Sequence, residues 1–194
     1  MKSTTKVTLG MRRSWWFPIT SEPDIGKALY GAKVDTGSAV KGYLSITTAS
    51  GSISGDDRTQ FEVEKFVSAQ LDAETTMNDL EINATLFGHT FAEESGEVSS
   101  VDDYAPSGGY AFIEPVMLKD KSVKYRATCL HKVTAIASSE KQEADTRKSG
   151  ELAFKNNVVS FKVSEDNTGA WRTRKEFDTQ AAAETFIEGV YAKS

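Results

Sequence analysis

Hydrophobic and polar residues alternate with period two over much of the chain, the repeat of strands that bury one face. Phe61, Val63, Val67, Ala69 and Leu71 fall on one side of such a run, with Glu62, Glu64, Ser68 and Gln70 on the other. The longest run sets Val123, Tyr125, Ala127, Cys129, His131 and Val133 against Lys124, Arg126, Thr128, Lys132 and Thr134, with only Leu130 out of phase. Residues 110–118, rich in aromatic and branched side chains, precede it across Lys119-Asp120-Lys121-Ser122, a polar connection short enough to close a hairpin. These two strands are expected to pair, and the longer one could continue its sheet into a neighbouring subunit. A second hairpin is expected where 152–154 and 158–163 flank Asn156-Asn157, because Asn tolerates the left-handed conformations of tight turns.

Two stretches change to helical spacing. Thr76 with Asp79 three residues on has the pattern of a capping hydroxyl and an acid, Leu80, Ala84 and Phe87 follow on one face, and Gly88 suits the stop. Near the end, Asp178 or Thr179 can cap a segment in which Ala183, Phe186, Ile187, Val190 and Tyr191 form one apolar stripe, predicting a helix packed on a sheet. Residues 50–58, 95–107 and 138–150 are dominated by Ser, Gly, Asp and Glu and read as loops. Loops of this length are uncommon in a small β domain unless they bind something, and contacts with neighbouring subunits would account for them. Trp15-Trp16-Phe17, after Arg12-Arg13, fits an edge strand whose alternate rings are core. It also fits an aromatic anchor at a protein interface, where Trp and Arg are enriched.

Composition narrows the possibilities. The 194 residues, 39% hydrophobic and 26% charged, suit one globular domain spanning 1–194, without wholesale disorder. A single cysteine, Cys129, excludes an internal disulfide and a thiolate metal cluster. No stretch reaches the ~20 apolar residues of a membrane helix and no signal peptide is evident, so a protein made and used in the cytoplasm is expected. A formal charge of −5 opposes sequence-independent binding to nucleic acid, which relies on clustered Lys and Arg.

Candidate chemistry is sparse. Val34-Asp35-Thr36-Gly37-Ser38 matches the Asp-Thr-Gly signature of aspartic proteases, and Leu86-Phe87-Gly88 could pass for their downstream element. Lys33, however, stands where the strand leading into the aspartate should be buried, and a turn built from Asp-Thr-Gly-Ser is the expected structure. His89 and His131 lack ligand spacing and receive no role; His131 falls on an apolar strand face as a core histidine would. Asp56-Asp57 and Asp102-Asp103 lack the oxygen-ligand alternation of a calcium loop and read as solvated turns. Cys129 has no neighbouring base to activate it, and no Gly-rich phosphate loop is present. No catalytic residue, cofactor site or metal site is expected.

The order of several short motifs resembles the major tail proteins that build the tail tube of long-tailed, non-contractile bacteriophages of Gram-positive hosts. Gly10-Met11-Arg12-Arg13-Ser14-Trp15-Trp16-Phe17-Pro18-Ile19-Thr20 is similar to that family's opening segment. Tyr30-Gly31, Gly55-Asp56-Asp57, Asp79-Leu80, Leu86-Phe87-Gly88, Asp102 to Pro106 ahead of Tyr110-Ala111-Phe112, Tyr125 to Lys132, and Phe154 follow in order. The sequence departs at Trp15-Trp16, where the family more often has tyrosines, and at Gly55, where an aromatic-Ala pair is more usual.

The resemblance implies a mainly β, sandwich- or barrel-like tail tube fold, with one short internal helix and a C-terminal amphipathic helix. It implies a virion structural protein assembled in the host cytoplasm as stacked, hexameric rings around a hollow conduit. The implied partners are further copies of the chain, the tape-measure protein inside the tube, and the tail terminator and distal tail proteins. DNA would pass through without specific binding, and acids such as Glu93, Glu94 and Glu97 would repel its phosphates. The segment 1–20 and the three loops become inter-subunit elements, with Trp15, Trp16 and Phe17 as interface candidates. Ile53 would dock in an apolar pocket of the next ring, ringed by Asp56, Asp57 and Arg58. A different self-associating or carbohydrate-binding β-sandwich and an aspartic protease stay open as other classes.

Overall fold

In the computed structural model the described residues are 6–55, 58–76, 79–140 and 156–192, and the side chains of 53–61 lie outside the description. The architecture is mainly β, with one short internal helix and one C-terminal helix. The strands are β1 (Lys6–Thr8), β2 (Arg12–Ser21), β3 (Leu29–Tyr30), β4 (Val34–Asp35), β5 (Ala39–Gly55), β6 (Arg58–Thr75), β7 (Thr90–Ala92), β8 (Gly96–Val98), β9 (Ser107–Leu118), β10 (Val123–Ala135), β11 (Asn157–Ser164) and β12 (Arg172–Phe177). The helices are α1 (Leu80–Phe87) and α2 (Gln180–Tyr191). Among the described residues, ten strands join one sheet whose main path runs β3-β2-β9-β10-β11-β6-β5, while β7 and β8 form a separate pair.

The predicted hairpin is β9–β10, with Val123 opposite Met117 and Leu130 opposite Tyr110. Its turn is closed by the Leu118 amide donating to the Ser122 carbonyl and by the Asp120 carboxylate accepting from the Ser122 amide. The break in phase at Leu130 is structural: a bulge shifts the register between Leu130 and Val133. Below it, residues 125–130 pair with β12; beyond it, residues 132–135 pair with β11. A bulge bends a strand and increases its twist, and here β10 hands its free edge from one neighbour to the other. With β9 on its opposite edge, β10 is an interior strand, so the expectation that it continues a sheet into a neighbouring subunit is corrected.

Both faces of this central region are covered. On one face Trp16, Leu71, Tyr110, Phe112, Leu130, Val133, Phe161 and Val163 form a core closed by α1; on the other, Trp15, Phe17, Ala111, Ile113, Ala127 and Cys129 meet Ala183, Ile187 and Tyr191 of α2. β9 reads as an almost unbroken apolar run because it is buried on both sides. Gly108 and Gly109 let the faces close: a Cβ at Gly108 would lie 2.3 Å from Trp16 Nε1, and one at Gly109 2.2 Å from Tyr191 Cε1.

Both helices have defined ends. Thr179 caps α2 by accepting from the Ala182 amide, as expected. In α1 the N-cap is Asp79, which accepts from the Glu81 and Ile82 amides, and not Thr76. Gly88 ends α1 at φ 80°, its amide donating to the Ala84 carbonyl. Asn157 is the first residue of β11, opposite Thr75 of β6, and residues 152–154 of the expected second hairpin lie outside the description. No described helix is long and apolar enough to cross a membrane.

Candidate assembly surface

The three consecutive aromatics are core. Trp15, Trp16 and Phe17 are 4%, 1% and 4% exposed, and they pair with Ala111, Tyr110 and Gly109 of β9. Trp15 and Phe17 lie opposite the small residues Ala111 and Gly109, and Phe17 stacks on Tyr191 with ring centroids 4.1 Å apart. The interface assignment of Trp15, Trp16 and Phe17 is therefore corrected: β2 is flanked by β9 and β4 at this point, and α2 covers one of its faces. The edge-strand account had the alternation right, but it missed that both faces are filled.

The exposed surface lies elsewhere. Of residues 50–58, expected as a loop, 50–55 and 58 belong to the distal part of a hairpin in which β5 and β6 pair from Ala39–Thr75 out to Gly55–Arg58. Near the body, Ala69, Leu71 and Ala73 of β6 face the core while Gly42 and Leu44 lie opposite Ala73 and Leu71. Gly42 accommodates Met11, whose Sδ would stand 2.8 Å from an added Cβ. A bulge opposite Thr47 and Thr48 then makes Val67 the extra residue, so Val67 is 55% exposed and Phe66 turns inward to stack on Trp171 at 4.3 Å. The expected face containing Val67 is thus broken at this residue.

Beyond the bulge the strands continue as a two-stranded ribbon, because β11 reaches only Ala69 of β6. Eight residue pairs, from Thr48–Phe66 to Gly55–Arg58, at ~3.4 Å per step give a ribbon roughly 24 Å long. Residues 47–52, Glu62, Glu64 and Lys65 are exposed along it. β5 is the outer strand of the sheet path, and it shows Val40, Tyr43 and Ile46 at 44%, 63% and 46% exposure. Ile53 and Arg58 stand at the tip, with side chains outside the description, and Asp56 and Asp57 lie outside the described residues. Of the other expected inter-subunit loops, 95–107 includes β8 and displays Val101 and Tyr104 at 100% and 82% exposure, while 141–150 falls outside the description.

The chemical candidates resolve individually. Asp35 accepts from the Gly37 amide at 2.9 Å, the Asx-type turn expected of Asp-Thr-Gly-Ser. Thr36 is buried and hydrogen-bonded to Ser14 at 2.7 Å. Burial pushes the Cys129 thiol up to about 12, leaving a small core side chain and not a nucleophile. His131 sits at the β10 bulge with Nε2 2.8 Å from Thr173 Oγ1 and Nδ1 3.6 Å from Asp166 Oδ2. Burial lowers its pKa, and Asp166 offsets this only in part.

His89 is the residue that sequence reading passed over. It is bracketed by Asp103 and Glu140, whose hydrogen bonds raise its pKa against the opposing effect of burial, which is the largest single influence. Asp103, expected as a solvated turn acid, is instead half-buried against that ring. Spacing could not reveal the group, because its members come from three separate segments; the one available signal was a histidine directly after a helix-ending glycine.

No protein-family model matches this sequence, and no curated protein shows significant similarity to it.

Proposed function

We propose that the chain is the structural subunit of a bacteriophage tail tube, self-assembling into stacked rings, hexameric on the family pattern, that form a conduit for DNA. The β5–β6 hairpin carries this reading. A two-stranded ribbon alone is at best marginally stable in water, and an exposed outer strand invites pairing or coverage. A ribbon that extends past the rest of its sheet is suited to be ordered by a neighbour, and the motif order of the chain supports a tube as the assembly. On this reading the ribbon tip, with Ile53, Asp56, Asp57 and Arg58, contacts the next ring, and the rings enclose the tape-measure protein and end on the terminator and distal tail proteins.

Negative-stain electron microscopy of the concentrated full chain should show rings or long hollow tubes. Replacing residues 51–57 with a short Gly-Ser linker should leave a folded subunit that no longer stacks. Tubes of ordinary length from that variant would remove the stacking role, and a discrete closed oligomer of the wild type without a channel would favour a different self-associating β-sandwich.

A further inference from the structure

Three segments far apart in sequence converge beside α1. His89 directly follows its C-cap glycine, Glu97 lies in β8, and Glu140 follows the short 3-10 turn Ala137–Ser139. One ligand atom from each lies within 4.8 Å of the other two, and all three residues are half-buried. His89 Nδ1 is 2.9 Å from Asp103 Oδ2, and that oxygen also accepts from the Ser100 amide at 2.7 Å. This fixes the ring and assigns the Nδ1 hydrogen to Asp103. His89 Nε2 then faces Glu140 Oε2 at 3.1 Å. Asn83 Nδ2 donates to Oε1 of both Glu97 and Glu140, at 3.1 and 2.9 Å, and holds the two carboxylates side by side.

The cluster brings three carboxylates around one histidine. With Asp103 on Nδ1, His89 Nε2 and Glu140 Oε2 approach closely enough for a metal ion to take the place of a proton between them. A proton there balances only one of three carboxylates. Among the described residues, no Lys or Arg forms an ion pair with Glu97, Asp103 or Glu140.

We propose that His89, Glu97 and Glu140 bind a first-row divalent cation of the zinc class, with Asp103 as the carboxylate that orients the histidine. Ligand atoms around a tetrahedral ion at ~2.0–2.1 Å lie roughly 3.3–3.4 Å apart. The Nε2–Oε2 pair, at 3.1 Å, is slightly inside that separation, and the Glu97 oxygen, within 4.8 Å of both, would move in to complete the set. An imidazole beside two carboxylates favours zinc over magnesium and calcium, which prefer oxygen alone. A carboxylate on the far nitrogen is the usual outer partner of a metal-bound histidine. On binding, the Nε2 lone pair forms the metal bond and any proton held there leaves to solvent, while water completes the coordination. The ion would staple the end of α1, β8 and the chain leaving β10, a role that stands whether or not the tail tube reading does.

The test is titration of the full-length, EDTA-stripped chain with ZnCl2 at pH 7.5 by calorimetry, paired with thermal melts. One saturable zinc per chain is expected, with a rise in melting temperature. Glu97→Gln retains an acceptor for Asn83, so it should fold normally yet weaken zinc binding at least tenfold and lose the melting shift. Asp103→Asn should weaken binding roughly 10–100-fold without changing the stoichiometry. Absence of saturable binding to the wild type, wild-type affinity in Glu97→Gln, or equal affinity for calcium would each overturn the proposal.

Discussion

The β9–β10 hairpin and the β5–β6 hairpin are both long antiparallel pairs whose sequences alternate apolar and polar residues, yet their surroundings are opposite. In the first, strands flank both edges and cores cover both faces; Ala111, Ile113, Ala127, Cys129 and Leu130 are fully buried. In the second, only the portion near the body is covered, and from Thr47 outward β5 is exposed through Ser52. Alternation therefore reports that a strand has two different faces, and not whether anything within the same chain covers the apolar one. Where nothing does, the uncovered face and edge are the place to look for a partner.

Matched substitutions in the two hairpins test this contrast, and the largest effect should come from proline. Thr128→Pro removes a ladder donor from a strand paired on both edges and should abolish folding, as judged by loss of a cooperative melt. Ser50→Pro, in the ribbon, should leave the subunit's melt nearly unchanged; a comparable collapse would place the ribbon inside the cooperative body. Next in size, Trp16→Ala should cost about 3–5 kcal/mol in denaturant unfolding. Tyr43→Ala, on the exposed strand, should stay within about 0.5 kcal/mol. An unchanged melt for Trp16→Ala would mean that the core described around β2 is wrong.

Smaller effects sharpen the comparison. The Tyr191 hydroxyl donates toward the carbonyls of Leu130 and Tyr110 at 2.9 and 3.1 Å, inside the α2 face. Tyr191→Phe should cost about 1 kcal/mol while keeping the ring stacked on Phe17. The smallest effect is in pH. The two histidines of the chain both lie in the body, so the pH dependence of stability between about 6 and 8 should be the same with or without the ribbon tip. His131 has a lowered pKa, so its contribution is present above the unfolded value near 6.5 and is lost as pH falls through the folded value. His89 has a raised pKa, so in metal-free protein its contribution is complete below 6.5 and is lost as pH rises through the folded value. Melts across this range in His131→Gln and His89→Gln should remove the acid-side and the alkaline-side loss respectively.

Much of the architecture was legible from local chemistry. The period-two run in β10, the polar turn before it, the Gly88 stop and the Thr179-capped stripe of α2 each depend on neighbours within a few residues, so the sequence alone determined a mainly β chain with two helices. The Asp35 turn was readable for the same reason, since its carboxylate bonds an amide two residues away. Tertiary structure decided what local pattern cannot encode. Whether Trp16 is surface or core depends on Gly108 in a strand more than ninety residues later, and the phase flip that exposes Val67 depends on a bulge against Thr47 and Thr48. Residues 50–58 have a loop's composition, but 50–55 run as a strand because they find the backbone of β6 from Arg58 onward, which satisfies hydrogen bonds regardless of side chain. The His89 cluster is the extreme case: its carboxylates at 97, 103 and 140 are brought together only when α1, β8 and the end of β10 pack, and distance in the chain hides groups that are neighbours in the fold.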